Sequence, residues 1–134
     1  NTEQEESFDN QIIEAKFINP QDVRGLTYGF SFLENDDSRE DVWIKPSNGT
    51  ISVAGTSGYS KYSPFLKSST GSQNKLLLIT FGSDLHIFAN DQYFYSTNVN
   101  KNYGLTSLGI GYVPGNNFEY EMDVNDFNVY KIID

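Results

Sequence analysis

Three carboxylates alternate near the carboxyl end of the 134-residue chain, as Glu119, Glu121 and Asp123. On an extended strand these side chains would share one face, with neighbours about 7 Å apart. That spacing is close to the separation at which a pair of carboxylates hydrolyses a glycosidic bond. The same alternation is typical of a half-buried strand that turns its acids to water, and we prefer this interpretation. We therefore assign no catalytic role to the three carboxylates.

Other reactive side chains are sparse. His86 is the only histidine, and the absence of cysteine excludes disulfides and Cys-ligated metals. No serine or aspartate motif surrounds His86, so a nucleophile triad has no support. Calcium could take oxygen ligands from Asp36–Asp37, or from Asp123 with Asp126, but their spacing fits no calcium-binding loop. No cofactor is expected.

Aromatic residues dominate the apolar content, with ten Phe, nine Tyr and one Trp against one Met. Aromatic rings bind the apolar faces of sugars, while a few polar groups fix the orientation of the ligand. The candidate ligand-binding residues lie near loops or strand ends, with Asn and Ser beside them: Trp43, Tyr59, Tyr62, Tyr93 and Tyr95. Each could instead belong to a core, as most strand aromatics do. Tyr59 and Tyr62 are the best candidates for exposure, because Gly, Ser and Lys surround them.

The periodicity along the chain predicts strands and no helix. Apolar residues alternate through 28–33, 42–45 and 51–53. In the first of these, the alternation places Tyr28, Phe30 and Phe32 on one face and Gly29, Ser31 and Leu33 on the other. The segment 75–81 is almost entirely apolar, which indicates a central strand covered on both faces. Residues 55–73 are predicted to form the longest irregular stretch.

Turn residues separate these strands. Pro46–Gly49, Gly82–Ser83 and Asn90–Asp91 contain residue types that tolerate the left-handed backbone of tight turns. About nine or ten short strands divided by such turns predict an antiparallel sandwich or barrel.

The apolar residues change parity within the last strand. They occupy even positions up to Val124, whereas Phe127 and Val129 occupy odd ones. Because alternate residues point to opposite faces, one extra residue near Asn125–Asp126 would return Phe127 and Val129 to the core side. The sequence therefore predicts a bulge at this point.

The formal charge is −9 with an isoelectric point near 4.4, and the acids are concentrated at the two ends of the chain. This charge repels phosphate backbones and anionic membranes, which argues against nucleic-acid binding. No run of 18 apolar residues is present, so no membrane insertion by this domain is expected. Sugars, cations and basic proteins remain as partners, and most of the charge is attributed to solubility.

The length suits a single domain. Residues 1–6 are polar and are expected to be a flexible leader or the remnant of a linker, and residues 7–134 to form one β-sandwich domain. The chain opens on Asn1 without Met or an apolar signal segment. We therefore expect a mature protein or a piece of a larger one.

Several of these segments, taken in order, resemble those of a known protein superfamily. The segments that carry the resemblance are 74–90 (NKLLLITFGSDLHIFAN), Gly104, Gly109–Gly111 and 126–130 (DFNVY). In this order they resemble the carboxyl-terminal half of concanavalin A-like lectin/glucanase jelly rolls, which include LamG-like domains. Upstream, Phe30, Trp43 and Gly49–Ile51 stand where such domains carry their Phe- and Trp-containing segments. The similarity therefore covers most of the chain from Phe8.

The resemblance implies a two-sheet antiparallel β-sandwich, most like the noncatalytic domains of bacterial surface or sensory proteins. It implies a recognition or sensory module with carbohydrate as the ligand, located outside the cell or in the cell envelope. Glucanases of the superfamily carry Glu-x-Asp-x-Glu in mid-chain, whereas this chain has a different order of acids at its end.

Two alternatives remain open. One is a small glycoside hydrolase that uses Glu119, Glu121 and Asp123. The other is a structural or protein-interaction domain without a small ligand. The oligomeric state is not predicted.

Overall fold

The computed structural model describes residues 3–4, 10–21, 23–35, 39–54, 59–99, 105–112 and 122–133. These residues contain strands and no helix, as the periodicity predicts. In chain order the strands are β1 (Glu3–Gln4), β2 (Gln11–Ile18), β3 (Leu26–Glu34), β4 (Glu40–Lys45), β5 (Thr50–Ala54), β6 (Tyr59–Tyr62), β7 (Gln73–Phe81), β8 (Asp84–Ala89), β9 (Gln92–Asn98), β10 (Leu105–Tyr112) and β11 (Val124–Lys131).

The strands form two antiparallel sheets. One has six strands in the order β1-β10-β3-β4-β5-β6, and the other has five in the order β11-β2-β7-β8-β9. Alternate residues of both sheets fill the core between them; its largest fully buried side chains include Tyr28, Phe17, Phe30, Phe32 and Ile13. The predicted two-sheet antiparallel sandwich, a jelly roll, is confirmed.

The apolar segment 75–81 lies in β7, the central strand of the five-stranded sheet. Leu76 and Leu78 are fully buried in the core, as a central position requires. The sequence predicts that both faces of this strand are covered, but only the face toward the core is buried. Leu77 and Ile79 point away from the core and are half-buried, and Phe81 is exposed.

The predicted turns are found where the turn residues stand. Asn90 and Asp91 have φ of 51° and 67° and join β8 to β9. Positive φ at both central residues is the geometry of a type I′ turn, whose twist matches that of the two strands. Gly82 and Gly49 likewise adopt positive φ between their strands.

The predicted bulge in the last strand is confirmed. The register between β11 and β2 shifts between Asn125 and Asn128, and Asp126 adopts φ of 54°. The shift returns Phe127 and Val129 to the core side, where the ring of Phe127 lies 6.0 Å from that of Phe30.

Two expectations are wrong. Leu33 was placed by parity on the outer face of its strand, but its φ is 50° and its side chain is buried in the core. An irregular register between β3 and β10 accompanies this reversal. The stretch 55–73 contains a strand, because Tyr59–Tyr62 pairs along β5. Pairing with a neighbour, rather than local composition, makes these four residues a strand.

A buried polar cluster crosses the sandwich at Tyr28. Its hydroxyl accepts a hydrogen bond from Asn74 Nδ2 of the opposite sheet at 2.8 Å and donates one to Asn19 Oδ1 at 2.6 Å. All three residues are almost fully buried. Since an unpaired buried polar group costs about 1–3 kcal/mol, these bonds specify how the two sheets align.

The same asparagines hold the segment that follows β6. Asn74 bonds both the N–H and the C=O of Lys67, at 2.9 and 2.7 Å. Asn19 donates to the carbonyls of Lys67 and Ser69 at 2.9 and 3.1 Å. Side-chain amides thus replace the regular ladder that this segment lacks.

We expect Tyr28→Phe to lower the free energy of unfolding by about 1–3 kcal/mol at neutral pH, because two buried partners lose their bond. Burial raises the pKa of Tyr28 to about 12 from 10.0, while the bond from Asn74 opposes the rise. The folded state therefore holds this proton more tightly than the unfolded state, and the resulting stability is lost as the pH rises from 10 to 12.

Urea unfolding at several pH values measures both effects. The stability difference between the wild type and Tyr28→Phe should shrink above pH 10. Tyr62→Phe, on an exposed ring, is the control and should change stability by less than about 0.5 kcal/mol. A difference between wild type and Tyr28→Phe that stays constant through pH 12 would contradict the prediction.

Candidate functional site

The outer face of the six-stranded sheet is covered by small residues around one large ring. In register across five strands lie Gly109, Gly29, Trp43, Ser52 and Ser60. Glycines therefore stand on one side of the indole and serines on the other, and the Oγ atoms of the two serines are 3.0 Å apart. This arrangement leaves room along the sheet surface for the indole and for a ligand.

The indole of Trp43 extends along the sheet toward β10. A Cβ on Gly109 would lie 2.5 Å from Cη2 of the indole and 3.3 Å from both Cζ2 and Cζ3. The end of the ring therefore reaches Gly109, where any side chain would clash with it, whereas a Cβ on Gly29 would clash with the backbone of Val42. Trp43 is half-buried, so part of the indole is accessible to solvent.

An open groove of about 510 Å³ lies beside this ring. It is bounded by polar side chains, glycine and two aliphatic residues: Ser31, Glu34, Arg39, Trp43, Ser107, Leu108, Gly109 and Ile110. A cavity of this size and mixed lining is in the range that binds small organic ligands.

A buried carboxylate organises the polar side of the groove. Asp41 is 8% exposed and accepts a hydrogen bond of 2.6 Å from Ser31 Oγ, its partner in register on β3. Arg39 Nε lies 3.1 Å from Asp41 Oδ1 and donates to Oδ2 at 3.2 Å. The guanidinium contacts both carboxylate oxygens of Asp41 through Nε. The arginine is thereby held at the rim of the groove.

The arrangement is suited to binding a polyhydroxylated ring. A flat aromatic face can pack on apolar C–H groups, and a fixed arginine with serine hydroxyls can exchange directional hydrogen bonds. Two acids, Glu34 and Asp41, accompany Arg39. The groove therefore carries no excess of positive charge for an anionic ligand.

The five candidate rings from the sequence are not brought together. Trp43 lies in the groove, and Tyr62 lies on the same sheet face with 62% exposure. Tyr62 is on the edge strand β6, two strands (about 10 Å) across the sheet from the backbone of Trp43 and two residues farther along. The indole extends in the opposite direction, toward β10. Only these two rings share a face.

Tyr59 and Tyr95 instead close one edge of the sandwich. Their rings stack at 3.8 Å with an angle of 5°, and Phe94 packs against both. Tyr59 pairs opposite Val53 and Tyr95 opposite Ile87, both core residues, so each ring points inward. Tyr93, on the same strand as Tyr95, points to the outer face of the five-stranded sheet. It is 58% exposed and donates a hydrogen bond to Ser96.

Sequence reasoning missed the polar half of the groove. Asp41 has the parity of Trp43 on one strand, so the alternation could have placed both on the outer face. Ser31 and Gly29 have the matching parity on β3. Gly109 carries no such signal, because its place beneath the indole depends on the pairing of β10 with β3.

The carboxylates considered for catalysis are only partly described. Glu119 and Glu121 lie outside the described residues, and Asp123 is exposed just before β11. Its carbonyl accepts a hydrogen bond from Ile18 N at 3.0 Å.

The aspartates that could bind calcium are also only partly described. Asp126 forms an ion pair with Lys16 at 2.9 Å, whereas Asp36 and Asp37 lie outside the described residues. Within the described ranges, no three His, Asp or Glu residues are grouped so as to hold a metal ion. The same ranges contain no helix long and apolar enough to cross a membrane.

Comparison with solved structures identifies the fold. The carbohydrate-binding module CBM66 from Bacillus subtilis superposes with a TM-score of 0.65 at 10% identity, over 80% of this chain and 70% of that module. Sheep galectin-11, solved in complex with glycerol, gives 0.65 at 8% identity, over 92% and 95% of the two chains. A Bacillus licheniformis β-glucanase gives 0.66 at 10% identity, over 97% and 69%.

No protein-family model and no curated protein sequence matches the chain. The structural similarity, at these low identities, concerns the fold. The chain has the concanavalin A-like jelly-roll fold that its sequence motifs resemble.

We expect Gly109→Ala to displace the indole, because the new Cβ would occupy the position of its outer edge. Trp43 is the only tryptophan, so intrinsic fluorescence and near-ultraviolet circular dichroism report on this ring alone. The emission maximum should move to longer wavelength as the ring is pushed into water.

Gly111→Ala is the matched control on the same strand and face. Its Cβ would meet only Thr27 Oγ1, at 3.1 Å, and the emission should stay unchanged. Equal spectra for both variants would contradict the placement of the indole over Gly109.

Proposed function

We propose that this domain is a noncatalytic carbohydrate-recognition module that binds a glycan in the Trp43 groove. The observation that carries the proposal is an indole lying along the sheet beside a buried, hydrogen-bonded carboxylate and a fixed arginine. The names of similar structures, a carbohydrate-binding module, a galectin and a glucanase, add support at the level of the fold. We extend the proposal to a recognition or sensory role in a secreted or cell-surface protein.

Binding would combine stacking with directed hydrogen bonds. The apolar face of a sugar ring packs on the solvent side of the indole, and its hydroxyls meet the terminal amino groups of Arg39 and the hydroxyl of Ser107. Ser31 and Asp41 hold Arg39 before the ligand arrives, so little side-chain entropy is lost on binding.

The charges favour neutral saccharides over acidic ones. Glu34 and Asp41 outnumber Arg39 in and around the groove, and the whole chain carries −9. A uronate or sulfated sugar would therefore be repelled at long range and would find no unopposed cation. Tyr62 lies on the same face, on the side of Trp43 away from the indole, and offers a second ring to a longer saccharide.

The test is a glycan array followed by titration of the strongest neutral oligosaccharide, with Trp43 fluorescence and calorimetry as readouts. Trp43→Ala should abolish measurable binding, because the stacking surface is removed. Asp41→Asn should weaken binding by about tenfold, through loss of the charge that holds Arg39. Tyr130→Ala removes an exposed ring from the opposite sheet and should leave the affinity unchanged.

The remaining outcomes separate the alternatives. Release of reducing sugar that Glu121→Gln abolishes would replace the proposal with a glycoside hydrolase. If the folded protein neither binds a glycan nor releases reducing sugar, the proposal is overturned in favour of a structural or protein-interaction domain. Equal losses in Trp43→Ala and Tyr130→Ala would place the glycan elsewhere.

A further inference from the structure

The outer face of the five-stranded sheet differs from that of the six-stranded sheet. Its central row, in register, contains Tyr130, Ile12, Ile79, His86 and Ser96. We call the apolar surface around this row the β7 face; its residues are Ile12, Leu77, Ile79, Phe81, Phe88, Tyr93 and Tyr130. Phe81, Tyr93 and Tyr130 are exposed by 47%, 58% and 48%, and the others are half-buried.

Strand β7 explains why this surface needs a partner. Its outer side carries Leu77, Ile79 and Phe81 at alternate positions, while Leu76 and Leu78 are buried in the core. An antiparallel sheet that faces water usually alternates apolar with polar residues, and a strand apolar on both sides is typical of one covered on both sides. A continuous apolar surface on a soluble domain marks an interaction site.

The lysines of this face are paired within the chain. Lys16 pairs with Asp126 at 2.9 Å and Lys75 with Asp91 at 2.8 Å, all at one end of the face. Glu14, nearer the centre, accepts hydrogen bonds from Asn128 and from the hydroxyl of Tyr130. The ion pairs thus neutralise both lysines, while Glu14 and the exposed Asp84 leave this face weakly negative in a chain of charge −9.

We propose that the β7 face binds a second copy of this chain, sheet against sheet, in a two-fold dimer. With the axis across the strands, between Leu77 and Ile79, each of these residues meets the other on the partner, which is the self-complementarity of a two-fold contact. Packed sheets lie about 10 Å apart and bury such alternate side chains between them.

The same axis places opposite charges near each other. Lys75 lies at one end of β7, and Asp84 stands in register with Phe81 at the other end. Rotation about the axis brings the Lys75 end of one copy opposite Phe81 and Asp84 of the partner subunit. The end that carries both lysines therefore does not face itself, and repulsion between like charges is avoided.

The area is sufficient for a specific, weak dimer. Five strands spaced at about 4.8 Å, with rises of about 3.3 Å over eight residues, give a face of roughly 20 by 26 Å. That is on the order of 500 Å² per copy, or about 1,000 Å² for both copies, without the extra area of side chains that project from the sheet. Interfaces of this size are typical of weak specific complexes. The Trp43 groove lies on the opposite sheet, so the dimer leaves both grooves open and makes the domain bivalent.

Sedimentation velocity from low micromolar to about 0.5 mM protein tests the proposal, since a weak interface dissociates within that range. The wild type should pass from monomer to dimer. Ile79→Glu, at the centre of the β7 face, should weaken dimerisation by more than about tenfold. Thr50→Glu, on the outer face of the opposite sheet, is the matched control and should dimerise like the wild type.

A second variant guards against loss of folding. Tyr130→Lys alters a side chain that is about half exposed, and the new ammonium can pair with Glu14. This variant should retain the wild-type melting temperature within a few degrees, yet dimerise more weakly. A wild type that remains monomeric throughout the concentration range overturns the proposal. So does a dimer that neither Ile79→Glu nor Tyr130→Lys weakens.

Discussion

The hydroxyl of Tyr28 is the contact on which the alignment of the two sheets depends. It joins β3 of one sheet to Asn74 on β7 of the other, and Asn19 completes its hydrogen bonds. Because side chains alternate along a strand, anchoring Tyr28 toward the core turns Gly29 and Ser31 outward. Ser31 lines the polar side of the Trp43 groove, and Gly29 lies in register beside Trp43. A slip of one residue in β3 would break the buried cluster and the groove together.

The two outer faces of the sandwich have opposite chemical characters. Around Trp43, glycine and serine leave room for a ligand and supply hydrogen-bonding groups, while a buried carboxylate fixes an arginine. Around Ile79 the surface is apolar, and its two lysines are paired with aspartates at one end. The first surface suits a small hydroxylated ligand, and the second suits a flat protein surface. The two proposed binding surfaces therefore lie on opposite sheets and do not overlap.

Much of the fold could be predicted from local patterns. The parity change near Asn125–Asp126 located a bulge, and the residue types at Asn90–Asp91 located a type I′ turn. The predictions failed where distant pairing decided the backbone. Leu33 points inward because of an irregular register with β10, and Tyr59–Tyr62 is a strand because β5 binds it. Of the five predicted rings, Tyr59 and Tyr95 stack on each other and close an edge, because inward parity buries them.

The sequence by itself determined that the chain is all-β, which residues alternate toward the core, and that Trp43 shares the parity of Asp41. Only the tertiary structure decided which strands are neighbours. Gly109 lies under the indole because β10 pairs with β3, a contact between residues far apart in the chain. The order of strands in a sheet depends on the packing of the whole core, so no local pattern contains it. The candidate site was therefore half visible in the sequence, as an outward tryptophan and aspartate, and was completed by the fold.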